Sequence, residues 1–120
     1  MRKILITGIL WSFFLSPVVE AKLKIVTTTP DFASVAKEIG GEKVEVTSLA
    51  KGVQDPHFVD AKPSFIRLLN QADVLIEGGA DLEVGWLPPL LESARNGKIQ
   101  RDNPGRIVAS AGIQLLEIPT

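Results

Sequence analysis

The stretch LKIVTTTPDFASVAKEIGGEKVEVTSL, Leu23–Leu49, decides the fold. Leu23–Thr28 is a short apolar, β-branched run, the pattern of a strand buried on both faces. Asp31 is then predicted to cap a helix, because Phe32, Val35, Ala36 and Ile39 follow at i, i+3, i+4 and i+7 as one apolar stripe. Gly40-Gly41 ends that helix, since glycine accepts the left-handed conformation past a C-terminus. Val44–Leu49 alternates and reads as a second strand. Strand, helix and strand in this order make a βαβ unit.

Downstream the alternation continues. A loop from Ala50 to Lys62 carries Gly52 and Pro56, and beyond Pro63-Ser64 a second stripe runs through Phe65, Leu68, Leu69 and Ala72. Val74-Leu75-Ile76 is a third predicted strand, closed by Gly78-Gly79. A third helix keeps Leu87, Leu90, Leu91 and Ala94 in register, which puts Pro88-Pro89 in its first turn, where a missing N–H costs little. Asn96-Gly97 ends it, and Ile107-Val108-Ala109 is a fourth strand. This order predicts an α/β fold: a largely parallel sheet with helices on both faces. Ligands collect at the carboxyl ends of such strands, so the loops to inspect are Thr27–Asp31, Ala50–Lys62, Glu77–Glu83 and the segment after Ala109.

Upstream, Arg2 and Lys3 precede a mostly apolar run from Ile4 to Leu15, and Val19-Glu20-Ala21 offers a small-residue cleavage site. That is the layout of a secretory signal peptide over residues 1–21. The apolar run covers about 18 Å as a helix, short of the ~30 Å hydrocarbon core. Residues 22–120 are therefore expected to form a periplasmic domain. No cysteine follows the apolar run, so no lipoprotein anchor is expected.

Composition narrows the chemistry. The chain has 120 residues, 13 basic against 14 acidic, with one histidine and no cysteine. A net charge of −1 gives no electrostatic footprint for nucleic acid. Disulfides, iron–sulfur clusters and thiolate zinc sites are excluded, and no serine sits in a nucleophile-elbow pattern. Catalysis is disfavoured.

The lone histidine, His57, lies in Gln54-Asp55-Pro56-His57, outside any apolar periodic segment. Pro56 fixes its own φ and pushes Asp55 toward extended geometry, stiffening the approach. A ligand histidine needs such an aim, and an acceptor for its second ring nitrogen, for which Asp55 and Asp60 are the candidates. Spacing alone leaves three readings open: metal ligand, surface-loop histidine and catalytic base. Asp31, Asp81 and Glu83 read as helix-start charges, Gly78-Gly79 as a turn, and Trp86 as packing.

Asp55-Pro56-His57, Pro63-Ser64, Leu69, Ala72-Asp73-Val74-Leu75-Ile76, Gly79, Leu82-Glu83 and Trp86 together resemble the amino-terminal lobe of metal-ion ABC-transporter substrate-binding proteins. These are the zinc- and manganese-binding proteins of the adhesin type. Ile25–Phe32, Ala36, Ile39-Gly40-Gly41 and Val44–Leu49 fit the same family. The chain departs from many members at Val59, Asp60, Ala61 and Phe65, where an aromatic, a glutamate, a proline and an aspartate are usual.

The resemblance implies that His57 is the first metal ligand. It also implies a divalent transition metal, zinc or manganese, held between two α/β lobes joined by a long helix, with a membrane permease as partner. The other ligands would lie beyond Thr120, so the chain is expected to be an amino-terminal piece of a two-lobed protein. An interaction or adhesion module on the same fold, and a secreted enzyme using His57 with Asp55 or Asp60, are the competing functions.

Overall fold

The computed structural model describes residues 17–116. Most of the expected signal segment, and Ile118-Pro119-Thr120, lie outside the described residues. Seven main elements follow in order: β1 (Leu23–Thr27), α1 (Pro30–Gly40), β2 (Val44–Ser48), α2 (Pro63–Gln71), β3 (Val74–Glu77), α3 (Leu87–Ala94) and β4 (Arg106–Val108). The strands form one sheet in the order β2-β1-β3-β4, every pair parallel. Among the described residues no helix is long and apolar enough to cross a membrane.

Register assigns the two faces. Val26 pairs with Leu75, so both point to one side, and both join the core with Leu69, Leu87, Leu90 and Leu91 of α2 and α3. Ile25 and Thr27 pair with Val74 and Ile76 and point to the other side, where α1 packs over β1 and β2. Helices thus flank the sheet on both faces, as the βαβ alternation predicts.

Prolines start the helices, as expected for Pro88-Pro89 alone. Pro30 and Pro63 are the first helical residues of α1 and α2, and Pro88-Pro89 occupy the first turn of α3. The α3 stripe is fully inward, with Leu87, Leu90, Leu91 and Ala94 all buried. The α1 stripe is not. Val35 is 58% exposed and Ile39 82%, while Ala33 and Ala36 are the buried residues. The buried face is thus rotated roughly a quarter turn from the predicted one. Two alanines let the helix axis approach the β-branched surface of Ile25 and Val46, which larger side chains would hold off. Asp31 is not the cap either. Thr29 takes that position with extended backbone, and Asp31 lies in the first turn, where its charge faces the positive end of the helix dipole.

Two glycines carry the turns. Gly41 caps α1 at φ 53°, a conformation only glycine adopts freely. Gly105 opens β4, and its carbonyl accepts from the Leu75 amide at 2.7 Å. A Cβ there would lie 2.6 Å from the Asp73 carbonyl oxygen and would also strike the Lys98 carbonyl, so no larger residue fits. Asn96 closes the α2–α3 layer: its side-chain amide donates to the carbonyls of Leu69 and Ala72 at 2.8 and 2.7 Å.

Candidate metal centre

The strand order places a topological switch between β1 and β3. The connection from β1 runs to β2 on one side, and that from β3 runs to β4 on the other, which opens a crevice at their carboxyl ends. Glu83 fills it. Its side chain is buried, and its carboxylate accepts from the Thr28 hydroxyl at 2.6 Å, the Gly78 amide at 2.6 Å and the Gly79 amide at 3.0 Å. The residues just past β1 and β3 are therefore tied to one carboxylate. Sequence reading assigned Glu83 to a helix start. It lies instead in the turn ahead of α3, and its carbonyl accepts from the Leu87 amide at 3.0 Å. The available signal was Thr28 at the end of one strand and Gly78-Gly79 at the end of another, both needing an acceptor.

His57 stands on the loop after β2, at the same carboxyl edge. The loop begins as an extension of the sheet, with the Leu49 and Ala50 amides donating to the carbonyls of Thr27 and Thr28 at 2.9 and 3.0 Å. It then leaves the surface of the core and returns at Val59, which is 5% exposed and packed in the main cluster. Between these anchors Asp55 organises the turn. One carboxylate oxygen, Oδ1, accepts from the His57 backbone N–H at 2.9 Å and from the ring Nδ1–H at 2.8 Å. The two contacts, the backbone one first, hold the Asp55 pKa below its ordinary value. An ionised carboxylate is only an acceptor, so Nδ1 must carry the proton, and neutral His57 keeps its lone pair on Nε2.

Of the two carboxylates, Asp55 meets the ring at Nδ1, and Asp60, exposed, makes no hydrogen bond to His57. The imidazole itself is open to solvent, with 58% of its side-chain surface exposed. Trp86, expected only to pack, is buried in the core yet donates its indole N–H to the Pro56 carbonyl at 2.8 Å. Asp81, exposed, takes a left-handed backbone at φ 65°.

Among the described residues no three His, Cys, Asp or Glu side chains converge in a way that would hold a metal ion. A concavity of about 590 Å³ lies away from His57. It lies beyond Glu83, lined by Glu77, Asp81, Leu87, Arg106 and Val108. Its wall includes a bidentate pair in which Arg106 Nε and Nη2 donate to the two carboxylate oxygens of Glu77 at 2.9 and 3.0 Å.

Residues 25–118 match the family described as zinc-uptake complex component A, periplasmic. Over 98 residues the chain is 33% identical to the manganese ABC transporter substrate-binding lipoprotein PsaA of Streptococcus pneumoniae, covering 79% of this chain and 30% of that protein. A zinc-bound crystal structure of a ZnuA deletion mutant superposes with a TM-score of 0.67 at 28% identity, covering 82% of this chain and 35% of that one. The periplasmic zinc-binding protein TroA of Treponema pallidum superposes at 0.57 with 26% identity, over 64% of this chain and 27% of that one. The chain thus spans about a third of the length of the proteins it matches. PsaA is named a lipoprotein, which departs from the expectation of a chain without a lipid anchor; none of the 120 residues is a cysteine.

Proposed function

We propose that this chain, which belongs to the family of periplasmic zinc-uptake component A proteins, is the amino-terminal lobe of an extracytoplasmic binding component that captures a divalent transition metal for a membrane permease. The observation that carries the proposal is the state of its one histidine. His57 stands at the carboxyl edge of a parallel sheet, solvent-facing, with Nδ1–H held by Asp55 and Nε2 without a hydrogen-bond partner among the described residues. A ligating histidine characteristically donates its other ring N–H to a carboxylate, which fixes the tautomer and raises the basicity of the ligating nitrogen.

Zinc is the cargo we assign, with manganese as the second choice. A neutral imidazole suits zinc, and a thiolate-free ligand set resists oxidation outside the cytoplasm. The relatives bear names of both kinds, manganese for PsaA and zinc for TroA. The remaining ligands would come from outside residues 17–116, because among the described residues no three His, Cys, Asp or Glu side chains converge to hold an ion. We read the site as one that holds and releases the ion rather than one that turns over a substrate. In this reading Met1–Ala21 is a signal peptide that delivers the lobe to the periplasm, and the permease partner sits in the inner membrane.

Chelator competition tests the proposal on the 120-residue chain. Zinc binding is expected to be weak, in the micromolar range or looser, and to fall at least tenfold in His57→Ala, as for loss of a ligand or its close support. Nanomolar affinity in the chain alone would contradict an incomplete site. Unchanged affinity in His57→Ala would remove His57 from the site and favour an interaction module.

Acidity adds a second readout. Ligation needs a neutral imidazole, so lowering the pH from about 7.5 to about 5 is expected to weaken zinc binding. Asp55 does not cause that loss. Its depressed pKa means that its contact with His57 is complete above the ordinary carboxylate range and is lost only as pH falls through the lowered value. Equal affinity at the two pH values would contradict ligation by His57.

A further inference from the structure

A peptide bond is planar, so fixing its oxygen and its N–H fixes the direction in which the next side chain leaves the backbone. The Pro56–His57 peptide is held at both ends. Its N–H donates to Asp55 Oδ1 at 2.9 Å, and its carbonyl oxygen, that of Pro56, accepts the Trp86 indole N–H at 2.8 Å. The two clamps differ in kind. Asp55 is exposed and belongs to the same turn, so it moves with the loop. Trp86 is 5% exposed, lies in the core cluster with Leu87, Leu90 and Leu91, and reaches across 30 positions of sequence. The indole N–H is the ring's only polar group, and a buried one requires a partner.

Trp86 is itself held in place. The Trp86 and Leu87 amides donate to the Glu83 carbonyl at 3.2 and 3.0 Å, and the Glu83 carboxylate is fastened to the ends of β1 and β3. The turn passes close beside the histidine: a Cβ at Gly85 would lie in ordinary contact, 3.7 Å from the His57 carbonyl oxygen. We infer that Trp86 is the positioning residue for His57, tethering the Pro56–His57 peptide plane to the core so that Nε2 has a fixed aim. Trp86 does not touch the metal. The inference rests on the reading of His57 as a metal ligand.

Trp86→Phe keeps the aromatic volume and removes the N–H. In the full chain, Zn²⁺ titrated alone is expected to bind about three- to tenfold more weakly to Trp86→Phe, by analogy with the loss of outer-shell partners in metal sites. The effect should vanish when His57→Ala is already present, because Trp86 acts only through His57. A merely structural tryptophan would lower the thermal midpoint without such coupling.

A second measurement needs no variant. If the indole bond favours the metal-competent aim, bound metal must in turn favour the bond. Saturating Zn²⁺ is therefore expected to slow hydrogen exchange at the Trp86 indole N–H of the unmodified chain, and this carries the test if Trp86→Phe fails to fold. Full zinc affinity in Trp86→Phe, or indole exchange indifferent to zinc, overturns the positioning role while a loss in His57→Ala leaves the parent reading standing. Full affinity in His57→Ala overturns both.

Discussion

Glu83→Ala is expected to destabilise the chain by about 3 kcal/mol, lowering the thermal midpoint by about 12–24 °C for a domain of this size. Three donors depend on that carboxylate: the Thr28 hydroxyl and the amides of Gly78 and Gly79. A hydrogen bond to a charged group contributes about 1.5–3 kcal/mol, and water entering the vacated space recovers part of the loss. The damage would not stay local. Glu83 also starts the turn that carries Trp86 to Pro56, so zinc binding at His57 should weaken in the same variant. Glu83→Gln retains one acceptor oxygen but sets an NH₂ against an amide donor, and should fall between the two. Thermal unfolding followed by circular dichroism checks this. A midpoint within about 2 °C of the unmodified chain would show that these donors have other partners.

Arg106→Ala is expected to cost at least as much, about 3–5 kcal/mol. The side chains of Arg106 and Glu77 are only 15% and 10% exposed, and they meet through two hydrogen bonds. Removing the guanidinium leaves a nearly buried carboxylate with no counter-charge, and it is this desolvated remainder, not the lost attraction, that dominates. The site also has little else to hold it. β4 is three residues long and lies at the sheet edge, joined to β3 through the register Leu75↔Arg106, Ile76↔Ile107 and Glu77↔Val108. Replacing both partners by apolar residues, Glu77→Leu with Arg106→Met, removes the charge problem and should cost far less than Arg106→Ala alone. Urea denaturation of the three chains decides it. A double variant as unstable as the single one would contradict a penalty arising from the unpaired carboxylate.

The strands and the first turn of α3 were legible because local chemistry writes them. β1 to β4 fall within about two residues of the apolar, β-branched runs, since parallel strands need such residues on both faces. Pro88-Pro89 mark the first turn of α3 by the donor they lack. Rotation of α1 was not legible. Period tells which residues share a helix face, but only the opposing surface decides which face turns inward, and here Ala33 and Ala36 fit the sheet more closely than Val35 and Ile39.

The site divides along the same line. His57 and Asp55 are two residues apart, so their contact is visible from spacing and from the stiffness that Pro56 imposes. Thr28 and Glu83 are separated by 55 positions, and Trp86 and Pro56 by 30. Those bonds exist only because the switch between β1 and β3 brings three loops to one edge. Glutamate in a turn and tryptophan beside a helix start have ordinary explanations in sequence, and nothing local reveals what they reach.

The central claim, that His57 meets zinc through Nε2 while Asp55 holds Nδ1–H, has one direct test. His57 is the only histidine in the chain, so long-range ¹H–¹⁵N spectra of material made without a histidine tag contain a single imidazole. The neutral form of the ring is expected to carry its proton at Nδ1, with the Nε2 resonance alone moving strongly as Zn²⁺ is added. A ring protonated at Nε2, or an Nε2 resonance indifferent to zinc, would contradict it.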